Sequence, residues 1–126
     1  TSIGNYVFNG CSKLTTANFP LATNIYSNAF NGCSKLTTVN FPAATSIGTN
    51  AFNGCTELTT ADFPVVTNIY SNAFYNCSKL TTLILRSGTM ATLGGTRAFK
   101  STPIASGTGY IYVPAALVDS YKAANN

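Results

Sequence analysis

The sequence predicts an α/β solenoid: a coil of stacked turns with short parallel strands on one face, one-turn helices or 3₁₀ turns on another, and a C-terminal strand-plus-helix cap. Three observations carry that prediction. Phe8, Phe30, Phe52 and Phe74 fall 22 residues apart, as do Cys11, Cys33, Cys55 and Cys77, and a fixed period in the twenties marks one supersecondary unit per repeat. Columns of Ile3, Ile25, Ile47 and Ile69, of Leu14, Leu36, Leu58 and Leu80, and of Phe19, Phe41, Phe63 and Leu85 share the spacing. They must face inward, because one coil cannot bury its own apolar face and stacking supplies the core. Finally, Thr38-Val39-Asn40-Phe41 alternates polar and apolar and is rich in β-branched and aromatic residues, the pattern of a half-buried strand.

Units begin at Thr1, Thr23, Thr45 and Thr67, which makes residues 1–88 four 22-residue repeats. Each opens with a short extended Thr-x-Ile. The fifth position is Asn5, Ser27, Thr49 or Ser71, whose side-chain oxygens suit a helix N-cap, and the tenth is Gly10, Gly32, Gly54 or Asn76, which tolerate a left-handed stop. The four residues between, as in Asn28-Ala29-Phe30-Asn31, are expected to form a single helical or 3₁₀ turn that drives Phe into the core. The strand follows, with Val39 and Phe41 inward and Thr38 and Asn40 facing solvent, until Pro42 ends it. Strands of successive coils should pair in parallel at about 4.8 Å.

After Leu80 the pattern changes, as Leu83-Ile84-Leu85-Arg86 replaces x-Asn-Phe-Pro. Ile84 stands in the column of Asn18, Asn40 and Asp62, so either the open face turns apolar there or something covers it. Residues 89–126 read as a degenerate repeat and C-terminal cap: Leu93 and Ala98-Phe99 echo the Ile and Ala-Phe columns with one residue inserted, and Thr102 to Gly109 is a turn-rich loop. Tyr110-Ile111-Tyr112-Val113 alternates as a strand with Ile111 and Val113 inward. Pro114 then suits the first position of a helix over Ala115 to Ala124, with Leu117, Val118, Tyr121 and Ala124 on one face. The entry at Thr1, in mid-pattern, leads us to expect a segment of a longer chain.

Composition narrows the function. Only 8% of residues are charged, so solubility must rest on Thr, Ser and Asn, which suits a surface of uncharged hydrogen-bonding groups. The net charge of +4 is spread over seven basic residues with no basic run, which argues against a nucleic-acid stripe. Glu57 interrupts the column of Lys13, Lys35 and Lys79 and is expected to pair with Lys35 or Lys79. Equivalent cysteines on stacked coils have parallel Cβ vectors, so they are expected to be buried, reduced thiols rather than disulfides or a zinc site. With Glu57, Asp62 and Asp119 as the acidic residues and no His, no acid/base pair, metal or cofactor site is expected. No stretch reaches the length of a membrane span.

The unit x-A-F-x-G-C-x-x-L-T-x-x-x-F-P-x-x-T-x-I, as in Ala29-Phe30-Asn31-Gly32-Cys33 through Phe41-Pro42 to Thr45-Ser46-Ile47, resembles the BspA-like, or Treponema-type, leucine-rich repeat. The resemblance covers residues 1–88, and the tail is similar to C-terminal modules that follow such repeats in proteins of gut bacteria and their phages. It implies a right-handed leucine-rich-repeat coil in an extracellular or cell-surface protein that binds host proteins, glycans or neighbouring cells, with no shared catalytic residues. A structural or receptor-recognition segment of a phage virion is the alternative.

Two sets of candidate binding residues follow. The open strand face presents Thr16, Asn18, Thr38, Asn40, Thr60, Asp62, Thr82 and Ile84, an array of hydroxyl, amide and carboxylate groups able to bond a glycan or a polar protein surface; equally, exposed Thr is simply a good β former. The fourth column alternates Gly4, Tyr26, Gly48 and Tyr70. Its two tyrosines could anchor a partner, or the alternation could be no more than duplication of a two-unit block.

Overall fold

The computed structural model describes residues 1–95 and 97–120. Two series of short strands alternate along the chain. Ser2–Ile3 (β1), Asn24–Ile25 (β3), Ser46–Ile47 (β5), Asn68–Ile69 (β7) and Thr92–Leu93 (β9) form one parallel sheet, in that order. Thr16–Asn18 (β2) pairs with Thr38–Asn40 (β4), and Thr60–Asp62 (β6), Thr82–Ile84 (β8) and Tyr110–Tyr112 (β10) form a second parallel set. Registers of Ile3 on Ile25 and Thr16 on Thr38 place equivalent letters side by side. This is a β-solenoid of four regular turns, followed by a segment that adds one more strand to each series.

The core is the set of columns read from the period. Phe30, Phe41, Phe52, Phe63 and Phe74 are fully buried with Ile25, Leu36, Ile47, Leu58 and Ile69. Phe30, Phe52, Phe74 and Phe99 stack face to face with ring centroids 5.3 to 5.5 Å apart, a geometry worth about 0.5–1.5 kcal/mol per pair beyond area burial. In the first coil Phe8, Leu14 and Phe19 pack against this core while partly exposed. Val39 departs from expectation: it is half-buried, whereas Ala17, Ala61 and Leu83 in its column are buried. It stands where β4 and β6 run without backbone pairing among the described residues.

The helical content expected at the Ala-Phe corner is absent; the corner is a chain of turns. Asn28, Asn50 and Asn72, and Tyr6 in the first coil, take φ between 56° and 60°, which interrupts a right-handed helix before it starts. Alternate amides are also spent between coils. The N–H groups of Asn28, Phe30 and Gly32 donate to the carbonyls of Thr49, Ala51 and Asn53 at 2.9, 2.8 and 2.7 Å, while those of Ala29, Asn31 and Cys33 close turns to residues three back. An α-helix needs every amide for its own ladder, so stacking and helix compete here and stacking takes half the donors. The fifth position therefore contributes its carbonyl, as Thr49 does to Asn28, where the sequence suggested a capping hydroxyl. Gly32 does adopt the expected left-handed conformation, at φ 74°.

The strand ends as read. Ala44 N–H donates to Phe41 C=O at 3.1 Å across Pro42, and Ala22 to Phe19 at 3.1 Å across Pro20, turns with Pro at the position that presets φ. Beyond Leu85, the strand pairing of Leu93 with Ile69 and the bond from Phe74 N–H to Ala98 C=O at 2.8 Å fix one inserted residue between Leu93 and Ala98. Thr102 takes the place of the Cys column, buried with its hydroxyl donating to Phe99 C=O at 2.6 Å. Ile111 and Val113 pack against the core. The terminal helix begins one residue later than expected: Pro114, at ψ 139°, is the cap of a 3₁₀ turn over Ala115–Leu117. Helical residues continue to 120, Leu117 packs on the core, and Tyr121 and Ala124 lie outside the described residues.

Candidate binding face

In a strand, side chains alternate between faces. Burial of Ala17, Ala61 and Leu83 therefore turns the residues on either side of each toward solvent. Thr16, Thr38 and Thr60 are exposed and Thr82 half-buried; in the second row Asn18 and Asn40 are exposed, Asp62 and Ile84 half-buried. Asn40 Nδ2 donates to Asn18 Oδ1 at 2.8 Å, so the amides form a ladder with the same spacing as the backbone.

Asp62 is not an open carboxylate. Arg86 Nη1 donates to both of its oxygens, at 2.6 and 2.8 Å. The sequence hid this pair because Arg86 lies 24 residues on, outside the 22-residue register. Glu57 pairs with Lys79 at 2.8 Å, one of its two expected partners, and that hydrogen bond holds its carboxyl below the usual range.

The structure adds two residues to the face that sequence reasoning did not single out. β10 lies beside β8 with Tyr110 against Thr82 and Tyr112 against Ile84. The rows thus end in tyrosine: Thr, Thr, Thr, Thr, Tyr and Asn, Asn, Asp, Ile, Tyr. Tyr110 and Tyr112 are 67% and 57% exposed, and their rings stand 6.4 Å apart, tilted by 41°. The signal was present in the Tyr-Ile-Tyr-Val alternation, since placing Ile and Val inward sends both tyrosines outward. What was missing was the partner strand, because the offset from Thr82 to Tyr110 is 28 residues rather than 22.

Tyr26 and Tyr70 follow β3 and β7 and so belong to the other sheet, which separates them from the Thr/Asn rows. Both are about half exposed. Their alternation with glycine has a packing cause. A Cβ on Gly48 would lie 2.8 Å from the Tyr26 carbonyl carbon and the Ser27 nitrogen, and one on Gly94 would lie 2.9 Å from Tyr70 Cα. The glycine coil closes on the backbone of the tyrosine coil before it.

The thiols are held as structure. Cys33, Cys55 and Cys77 are buried and unbridged, with Sγ donating to the carbonyls of Phe8, Phe30 and Phe52 at 3.1, 3.3 and 3.0 Å. Burial pushes the Cys33 thiol up to about 11 and Cys77 to about 12, and raises Cys55 as well, so none supplies a thiolate nucleophile at neutral pH. Cys11, expected to be buried, is exposed. No helix among the described residues is long and apolar enough to cross a membrane.

Comparison with known proteins adds one match. A family model described as a BspA type leucine-rich repeat region matches residues 1–111, in 6 copies. Searches of curated proteins and of solved structures find no significant match.

Proposed function

The chain belongs to the BspA-type leucine-rich repeat family, and from that premise we propose that it is a non-catalytic binding module of a bacterial surface or secreted protein. It recognises a protein or glycan partner on a host or neighbouring cell through the rows from Thr16 and Asn18 to Tyr110 and Tyr112. The observation that carries this reading is the stacking itself, which lines up the hydroxyls of Thr16, Thr38, Thr60 and Thr82 in one row and the amides of Asn18 and Asn40 in the next, on the same face as Tyr110 and Tyr112. Such an array can bond an extended polar surface at many points, each weak and all aligned. Two of the three side-chain carboxylates, Glu57 and Asp62, are each engaged by a base, and the third, Asp119, lies in the C-terminal helical segment, which favours recognition over acid/base chemistry.

The test is a biosensor screen of the immobilised chain against matrix glycoproteins and oligosaccharides, repeated with two double variants. Thr38→Lys with Asn40→Lys is expected to weaken any partner by about tenfold or more. Tyr26→Ala with Tyr70→Ala is expected to leave it within about threefold, since those residues belong to the other sheet. The opposite pattern would transfer binding to the tyrosine column, and a screen without a partner would remove the reading.

A further inference from the structure

We propose that Tyr110 and Tyr112, with Ile84 beside Tyr112 and the Asp62–Arg86 pair one strand further along the row, form a subsite for a neutral pyranose ring. The proposal deepens the strand-face reading and rests on it. Two large aromatic side chains on one short strand, both more than half exposed and bordered by polar groups, form the kind of patch that marks an interaction site. Their rings are tilted rather than stacked on each other, and their exposure leaves ring surface open to a ligand.

Charge selects among ligands. The acid and the base across Ile84 from Tyr112 satisfy each other through two bonds from one guanidinium nitrogen, so the pair adds no net charge to the row. An anionic ligand would have to displace Asp62 from Arg86, and a cationic one Arg86 from Asp62. A neutral sugar has to break neither. Its C–H face packs on a tyrosine ring, and its hydroxyls can donate to Asp62 oxygens with capacity left, or accept from guanidinium nitrogens other than Nη1.

Area selects as well. A stable protein interface needs about 800 Å² per partner around a packed apolar centre. Here the apolar surface is two tyrosines, each bringing at most about 150–250 Å², and a half-buried Ile84, on a flat face otherwise made of Thr, Asn and one ion pair. That is sufficient for one or two sugar rings and small for a protein.

Calorimetric titration of the whole chain with cello-, chito-, manno- and galacto-oligosaccharides, with a sulfated oligosaccharide for contrast, tests the assignment. At least one neutral oligosaccharide is expected to bind, with an affinity that changes less than about twofold between low and high salt. Tyr110→Ala and Tyr112→Ala should each weaken it by about tenfold, as should Tyr110→Leu and Tyr112→Leu, which keep bulk but not the aromatic ring, while Tyr6→Ala, at an exposed tyrosine outside the strand face, should stay within about threefold. Unchanged thermal midpoints establish that the variants fold, and the leucine variants serve should the alanine variants not. Sugar binding that survives both alanine variants overturns the proposal, as does binding of the sulfated probe alone with steep salt dependence. If no sugar binds yet a protein partner is lost on Thr38→Lys with Asn40→Lys, the sugar assignment fails and the strand-face reading stands. If neither kind of partner binds, both fail.

Discussion

Cys11 and Cys33 occupy the same column one coil apart, yet one thiol meets solvent and the other a carbonyl in the core. A thiol reagent at neutral pH is therefore expected to label Cys11 alone in the native protein and all four cysteines in denaturant. Their titration also bears on stability. Cys33 rises from an ordinary 9.0 to about 11 on folding, so the fold favours the protonated thiol: its contribution is complete below about pH 9 and is lost as pH climbs through 11. Cys77 and Cys55 are raised further, so the alkaline loss of stability should begin near pH 9 and continue above 11, and Cys33→Ala should make it less steep. Asn72 displays the same dependence on a single neighbour. Asn28 Oδ1 accepts from Asn31 Nδ2 at 3.4 Å, but three residues after Asn72 stands Tyr75, and Asn72 Oδ1 is buried with no hydrogen-bond partner among the described residues.

The close approach between coils makes glycine the natural occupant of alternate units. A methyl group on Gly48 would press on the backbone of Tyr26 and Ser27, whereas one on Gly88 would meet nothing within 4 Å. Gly48→Ala is accordingly expected to cost about 1–3 kcal/mol in urea unfolding, and Gly88→Ala well under 1 kcal/mol. Equal costs at both sites would show that coil spacing is soft. The corner and the Pro turn differ in the same respect: the Pro turn is specified within its own coil, while the corner keeps its shape only because half its amides reach the next coil.

A stack in which each coil touches only its neighbours has stability that grows toward the middle. Phe52 lies between Phe30 and Phe74, at 5.3 and 5.4 Å, and is fully buried; Phe8 stacks on Phe30 alone and is partly exposed. Phe52→Ala should cost about 3–5 kcal/mol and Phe8→Ala clearly less. Amide hydrogen exchange is expected to rank the coils in the same order, with Phe30 and Phe52 protected longest and the Tyr6 to Gly10 corner exchanging first. Uniform protection from coil to coil would contradict a one-dimensional stack.

Much of this was legible in the letters, and one physical reason separates it from the rest. A constant 22-residue spacing names every residue's neighbour, so the apolar columns, the Pro turns, the outward Thr and Asn rows and the pairing of Glu57 with either Lys35 or Lys79 could be read before any coordinates, and the structure chose Lys79. Where spacing changes, that inference stops: Arg86 reaches Asp62 across 24 residues and Tyr110 reaches Thr82 across 28, and insertions of this kind carry no register of their own. The corner failed for a different reason. Local propensity described an isolated turn of helix, but a backbone amide can serve only one acceptor well, and the adjacent coil, present only once the chain has stacked, claimed half of them.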